Sequence, residues 1–312
     1  MQIGLCLPTL EDAARGAPTY TEVRQMALDA AAAEFDSLWL YDHLLMRRWD
    51  DAPLLGMWES WTLLAALAEA SAHSSPGAPR ITLGTLVTCA AFRNPALLAK
   101  MAATLDEITQ GHFILGLGAG WHEPEFTAFG YAFDHRVSRL DEALHIIRPL
   151  LKTGHAHFQG RYYRAEHCEL RPRGPSAAPL LIGGSGAHML ALAARDADLW
   201  NTGYVSQLTT LATKKADIAA ACAAIGRDPS TLALTVHMPV VYTDLVPAPP
   251  FLSEFAVGNT PDLVARWAQF AQAGVSHVMV ECFPNQAATH ARLAQALHTF
   301  RARPKDGPID TP

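Results

Sequence analysis

The stretch HFILGLGAGWHEPEF, His112 to Phe126, decides how the chain is read. Phe113 to Leu117 is an apolar run long enough for one buried strand, and it passes through Gly118, Ala119 and Gly120 into an aromatic ring, an imidazole and two carboxylates. A buried parallel strand whose end feeds a polar, glycine-rich loop is where open sheets and strand-helix barrels put their binding sites. Glycines let a ligand approach the main chain, while Trp121, His122, Glu123 and Glu125 offer stacking, proton transfer or orientation. A plain tight turn is the other reading of the same residues. The GLGAG spacing of Gly116, Gly118 and Gly120 is not the dinucleotide fingerprint, because Pro124 falls where the phosphate-binding helix should begin.

Outward from this stretch, short apolar runs alternate with helical periodicity in both directions. Ile3 to Leu7 reads as a first strand, Thr21 to about Ala33 as a helix, and Ser37 to Tyr41 as a second strand that delivers Asp42 and His43 at its end. The aromatic, irregular segment 45–58 suits an active-site loop, and Leu63, Leu64 and Leu67 mark the next helix. Ile81 to Val87 is the third strand; Asn94 caps the helix after it, Pro95 fits its first turn and Gly111 stops it. After the fourth strand, Leu140, Leu144, Ile147 and Leu151 share a helical face. Residues 154–178 break the rhythm and alternate as an inserted hairpin would. Further strands follow at Leu180 to Ile182, Asp198 to Asn201, Leu232 to Tyr242 and Val275 to Glu281, with helices at 206–225, from Thr260 to Gly274, and at 286–301. The proline-rich piece 243–258 reads as a loop.

Eight buried strands alternating with eight helices predict an α/β fold, a (β/α)8 TIM barrel with insertion segments and its working face at the C-terminal strand ends. A doubly wound open sheet is the alternative. The expected organisation is one barrel domain over 1–302, carrying the hairpin at about 154–178, and a frayed tail over 303–312. The 312 residues suffice for such a barrel. No apolar run approaches the roughly 20 residues of a membrane helix, and the N-terminus lacks a basic-then-apolar signal pattern, so a soluble, cytoplasmic protein is expected. Five scattered cysteines argue against a disulfide framework or a thiolate zinc site. The net charge of −6, without a basic cluster, argues against a nucleic acid partner, and the lack of a long apolar run against a membrane one.

Two further motifs carry chemistry. GGSG, Gly183 to Gly186, opens a helix, where fanned main-chain amides and the helix dipole favour a phosphate; a glycine turn is the bland alternative. Asp42-His43 sets a carboxylate beside an imidazole at a strand end, a pair able to orient or protonate a bound heterocycle. Fourteen histidines make a metal worth weighing, but no HxH ends strand one and no HExxH occurs. His155-Ala156-His157 lies in the hairpin and reads as surface, so no metal is expected.

Together, FDSLWLYDH (35–43), the block from Ile81 to Gly130, HRVSRLDEALHIIRPLL (135–151), FQGRYYR (158–164), PLLIGGSG (179–186), ADLWN (197–201) and the segment 258–280 resemble the bacterial-luciferase-like superfamily. The central block looks most like its deazaflavin-dependent branch. The resemblance implies a barrel that binds coenzyme F420, a deazaflavin, or FMN at its C-terminal face. It puts Asp42 and His43 beside the ring and a non-prolyl cis peptide at Leu86-Val87 or a neighbouring bond. It gives the cofactor phosphate to Gly183, Gly184, Ser185 and Gly186, and the pocket lining to Thr88, Gly118, Gly120, His122 and Asn201. Arg136 and Arg139 match a recurring pair whose role stays open. Two positions depart from the pattern: Glu34 replaces a common helix-ending glycine, and Trp121 replaces an acidic residue, which leaves Glu123 as a displaced candidate proton donor.

The expected function is an oxidoreductase moving a hydride between a deazaflavin and a small organic substrate, with His43 and Glu123 as the catalytic candidates. An FMN monooxygenase fed by a separate flavin reductase is the alternative, and a non-catalytic flavin-binding barrel a lesser one. The resemblance also implies a homodimer.

Overall fold

The apolar runs become strands buried on both faces, as parallel strands flanked by helices must be. In the computed structural model, which describes residues 1–12, 15–47, 52–72, 80–205, 207–257 and 259–303, eight strands lie parallel and close on themselves. They are β1 (Gln2–Cys6), β2 (Ser37–Leu40), β3 (Thr82–Thr85), β4 (Phe113–Gly118), β5 (Leu180–Gly183), β6 (Leu199–Gly203), β7 (Ala233–Tyr242) and β8 (His277–Phe283). Each pairs with its sequence neighbour, and β8 pairs with β1. Closure of the barrel comes from β4 against β5, with Leu115 opposite Leu180 and Leu117 opposite Ile182. The open-sheet alternative is thereby excluded.

Helices α1 (Tyr20–Ala32), α2 (Ser60–Ala72), α3 (Pro95–Ile108), α4 (Glu123–Phe129), α5 (Arg136–Thr153), α6 (Ala187–Asp196), α7 (Leu208–Ala224), α8 (Thr260–Gln272) and α9 (Ala287–Ala302) surround it. Their starts follow local chemistry. Thr19 and Glu22 form a capping box at α1, and Asn94 accepts from the amides of Ala96 and Leu97 ahead of Pro95 at α3. Glu34 ends its turn with φ 61°, so the carboxylate residue adopts the left-handed conformation that glycine would take more cheaply.

Three expectations need correction. Pro124 does not break the chain after β4; it occupies the first turn of α4, where a missing N–H costs nothing, so a ninth helix appears among the described residues. The loop 243–258 is partly ordered: Pro250–Phe255 forms a 3-10 turn, and Ala256–Val257 pairs with the end of β7. The sixth strand begins at Leu199 and extends to Gly203. The hairpin does form, as His155–Gln159 against antiparallel Arg164–Glu169, in a two-stranded sheet separate from the barrel. Residues 304–312 of the expected frayed tail lie outside the described residues.

The barrel bore is filled rather than hollow. Trp39 of β2 is fully buried within it, and its ring takes the volume that side chains at Gly4 and Gly84 would occupy. A Cβ at Gly84 would lie 2.4 Å from Trp39 Cζ3, and one at Gly4 2.6 Å from its Nε1. Trp39 Nε1 donates to Ser37 Oγ at 2.7 Å, and Ser37 Oγ lies 2.7 Å from His277 Nε2. This polar chain sits beneath the Tyr41, Leu86 and Met279 side chains that pack on the same apolar cluster.

Candidate active site

At the C-terminal ends of β3, β4 and β5 the floor of the mouth is made of glycines and the valine that packs on them. The Leu86-Val87 peptide is cis, and Val87 reaches across to three glycines. A Cβ at Gly118 would meet Val87 Cγ2 at 2.6 Å, and one at Gly183 would meet Val87 Cγ1 at 3.2 Å. At Gly116 a Cβ would strike the Thr85 carbonyl oxygen at 1.9 Å. Only glycine fits there, and the result is a shallow apolar cradle backed by the Val87 methyls. Underneath, Thr88 Oγ1 donates to Thr85 Oγ1, which donates to the Gly116 carbonyl and accepts from the Gly116 amide. Thr88, expected to line the pocket, spends its proton below the floor, and it is fully buried.

Beside the cradle, α6 begins at Gly186 with no side chain capping it. Residues 184–188 are exposed, and a Cβ on Gly186 would meet nothing within 4 Å. Gly184 has φ +131° and its carbonyl accepts from Trp200 Nε1 at 2.8 Å, which fixes the loop to β6. Gly184, Ser185 and Gly186 therefore present an open helix N-terminus, a place suited to an anion. Asn201 donates through Nδ2 to Thr235 Oγ1 at 2.9 Å and keeps Oδ1 free of hydrogen bonds among the described residues.

On the same side of the mouth, between the end of β2 and the helix after β4, stands an acid-base pair. His43 Nδ1 lies 2.7 Å from Glu125 Oε1, while Glu125 Oε2 accepts from the amides of Leu44 and Leu45 at 2.8 and 3.3 Å. Because Glu125 Oε2 accepts from two main-chain amides, the network assigns the shared proton to His43 Nδ1, and Nε2 has no hydrogen bond among the described residues. Trp121 meets His43 edge-on at a centroid distance of 5.6 Å, and His122 lies 6.2 Å from the same ring. His122 is 6 % exposed, and its Nε2 has no partner among the described residues. Burial holds His122 below the ordinary histidine range, with His43 and Arg47 acting in the same sense and Glu125 opposing them.

Glu123, the expected proton donor, does not join this group. It is exposed in the first turn of α4, and Glu125, two residues on, is the carboxylate that turns inward. Asp42 also departs from expectation. Both its oxygens are taken: Oδ1 accepts from Ser60 Oγ and Arg93, Oδ2 from the Cys89 amide and Arg93. Arg93 bridges onward to Glu59 at 2.6 Å. Asp42 thus locks the β2 end to α2 and to the segment after β3, next to His43. Burial alone would raise Glu59, but hydrogen bonds from Thr62 and Arg93 hold it below the usual carboxylate range.

Arg136 and Arg139 are structural. Arg136 Nη1 donates to the Gly120 carbonyl at 2.6 Å and covers the Phe133 ring; Arg139 holds Asp134 and stacks on Tyr162. Gly120 is itself enclosed, since a Cβ there would lie 2.7 Å from both Cys89 Sγ and the Phe126 ring. No group of three or more His, Cys, Asp or Glu among the described residues could hold a metal ion. No helix among them is long and apolar enough to cross a membrane.

Comparison with known proteins agrees with this architecture. The family model described as luciferase-like monooxygenase matches residues 1–245. An F420-dependent hydroxymycolic acid dehydrogenase of Mycobacterium tuberculosis is 32% identical over 251 residues, covering 76% of this chain and 66% of that protein. The pyrimidine monooxygenase RutA of Cronobacter sakazakii is 33% identical over 145 residues, covering 45% of this chain and 40% of its own length. The chain thus spans two thirds or less of these curated relatives. Among solved structures, an F420-dependent secondary alcohol dehydrogenase in complex with an F420-acetone adduct superposes with a TM-score of 0.76 at 20% identity, covering 96% of this chain and 99% of that one. With the family model matching more than half its length, the chain, built on a (β/α)8 barrel, belongs to the luciferase-like monooxygenase family.

Proposed function

We infer that the protein is a coenzyme F420-dependent oxidoreductase acting on a small organic substrate. The observation that carries this reading is the His43–Glu125 pair, 2.7 Å apart, at the same barrel mouth as an apolar floor formed by Val87 packed on Gly116, Gly118 and Gly183. The Val87 methyls, seated against those three glycines, present a small apolar face suited to a flat ring. The uncapped start of α6 fits a phosphate, with the amides after Gly186 as donors and Asn201 Oδ1 as a further polar contact. When bound, the deazaflavin supplies a hydride donor or acceptor at carbon.

The chain's own residues then handle the proton. Glu125 fixes the His43 ring and its tautomer, so that Nε2 is the atom able to give a proton to a substrate oxygen or take one from it. Trp121 and His122 flank that ring. The relative that matches three quarters of this chain is named as an F420-dependent dehydrogenase, which favours hydride transfer. The match to RutA monooxygenases supports a second reading, in which the same cradle takes FMN and uses oxygen.

Fluorescence titration with F420 and with FMN, followed by turnover in an oxygen electrode, separates the two. The expected result is affinity for F420 at least about tenfold above that for FMN, with oxidation of an alcohol or reduction of a carbonyl and no stoichiometric oxygen uptake. Tighter FMN binding with oxygen consumption establishes the second reading instead. Binding of neither cofactor rejects both.

A further inference from the structure

The half of the mouth opposite the glycine cradle is built from different chemistry. Tyr41, just beyond β2, reaches across the bore to β7 and β8: its hydroxyl donates to Glu281 Oε2 at 2.9 Å and lies 2.9 Å from His237 Nε2. Strands β2 and β7 are separated by β8 and β1, so this contact crosses the barrel interior. His237 Nε2 is also 3.4 Å from Glu281 Oε2, and the Tyr204 ring meets the imidazole edge-on at 5.3 Å. The His237 and Glu281 side chains are 9% and 15% exposed, enclosed yet reachable from the mouth. Glu281 Oε1 and His237 Nδ1 take no hydrogen bond among the described residues.

We propose that Tyr41, His237 and Glu281 anchor the non-reacting end of the substrate, and that they select a hydrogen-bond-donating, non-anionic group, a hydroxyl or an ammonium. This anchor rests on the cofactor reading above only for which half of the mouth is left to substrate. Glu281 has acceptor capacity to spare and forms no ion pair with lysine or arginine among the described residues. A carboxylate or phosphate brought against it meets like charge in an enclosed site, whereas a hydroxyl or ammonium finds the missing donor. Tyr41 cannot take over that role, since its own proton is committed to Glu281 and burial, followed by Cys6 and Glu281, holds its ionisation well above the ordinary range. Tyr41 is thus a positioning residue for the Glu281 carboxylate.

The test is calorimetric titration at pH 7 and fixed ionic strength with n-butylamine, 1-butanol and butyrate, on protein with and without cofactor. Butylamine and butanol should bind in the millimolar range, and butyrate at least about tenfold more weakly than butylamine. Glu281→Gln should weaken butylamine by about tenfold and leave butanol within about threefold, with cofactor affinity unchanged within about twofold. If that variant lacks the wild-type melting transition, the wild-type protein still decides: butylamine must perturb the NMR signals of the His237 and Tyr41 rings. Equal affinity for butyrate and butylamine, indifference to Glu281→Gln, no binding of any of the three, or perturbations remote from these rings overturns the anchor. Because the charge ranking is also read on cofactor-free protein, a failed cofactor titration rejects the function above without deciding this inference.

Discussion

His43 Nδ1 and Glu125 Oε1 meet at 2.7 Å although 82 residues separate them, one beyond β2 and the other in the first turn of α4. Glu125 does two jobs at once, since its second oxygen ties down the Leu44 and Leu45 amides. Glu125→Gln keeps an oxygen for those amides but removes the charge that balances a protonated His43. Steady-state kinetics should show kcat lowered by about 10²-fold, with cofactor affinity little changed. Glu125→Ala should in addition lower stability by about 2–4 kcal/mol, because buried amides lose their acceptor. A kcat within a factor of two of wild type in Glu125→Gln would remove the pair from the chemistry.

Asp42→Asn tests the neighbouring lock. The substitution leaves the Arg93 guanidinium, 11% exposed, with Glu59 as its remaining carboxylate. Losing one partner of an enclosed ion pair costs about 3–5 kcal/mol, which thermal or urea unfolding should read as a fall in midpoint. His43→Asn, by contrast, should change stability by less than about 1.5 kcal/mol while abolishing most turnover. If both variants behave alike, Asp42 is part of the chemistry and not of the scaffold.

How much of this was legible in the sequence differs between backbone and side chains. Strands such as Phe113–Gly118 and Leu180–Gly183 announce themselves by apolar runs ending in glycine, so the barrel and the cradle could be read one segment at a time. The partner of His43 could not, because four residues of loop geometry decide whether Glu123 or Glu125 faces inward. Helix α4 settles it: Glu123 starts the helix at the surface, and Glu125 follows two residues later, on the buried side with Phe126. Arg93 in AAFRN carries no local sign that it will reach Asp42. Likewise Tyr41, His237 and Glu281 are brought together only by closure, which no segment of sequence displays on its own.

Filling the cradle should cost cofactor before it costs fold. Gly183→Ala puts a methyl 3.2 Å from Val87 Cγ1, a contact that a small shift of Val87 relieves at the cost of moving the methyls that form the floor. Cofactor dissociation constants should rise at least about tenfold while the melting temperature moves by only a few degrees. Gly118→Ala, at 2.6 Å from Val87 Cγ2, should do the same with a larger loss of stability. Unaltered cofactor affinity in both variants would move the ring elsewhere.

Acid should weaken the fold before the carboxylates titrate. Burial pushes His277 down to about 3, with the N-terminal amine acting in the same sense, and burial pushes His290 down to about 4 against a small pull from Asp29. Both folded values lie below the unfolded value of about 6.5, so the unfolded chain binds more protons between them. Stability is therefore full above about pH 6.5 and is lost as pH falls toward 4 and then 3, with a limiting slope of about 1.4 kcal/mol per pH unit for each histidine. Urea unfolding across pH 7.5 to 4 measures it. His277→Gln, which keeps an acceptor for Ser37, should flatten the slope by one proton; an unchanged slope would assign the effect to other groups.

Gly84→Ala asks whether the bore is as full as its contacts indicate. The added Cβ would lie 2.4 Å from Trp39 Cζ3 and 2.8 Å from Cε3, and the ring has nowhere to retreat because Gly4 on the opposite flank is filled by its Nε1 and by Ser37 Oγ. Trp39 is also held by its hydrogen bond to Ser37, itself paired with His277, so any tilt of the indole disrupts a buried polar chain. Overpacking of this kind costs about 1–3 kcal/mol, and loss of the Trp39–Ser37 bond adds about 1 more. The double variant Gly84→Ala with Trp39→Phe should recover part of that loss, because the smaller ring leaves room for the methyl even though Ser37 loses its indole donor. A Gly84→Ala protein that unfolds in urea at the wild-type midpoint would mean that Trp39 is loosely seated, and the close approach of β3 to the indole would carry no energetic weight.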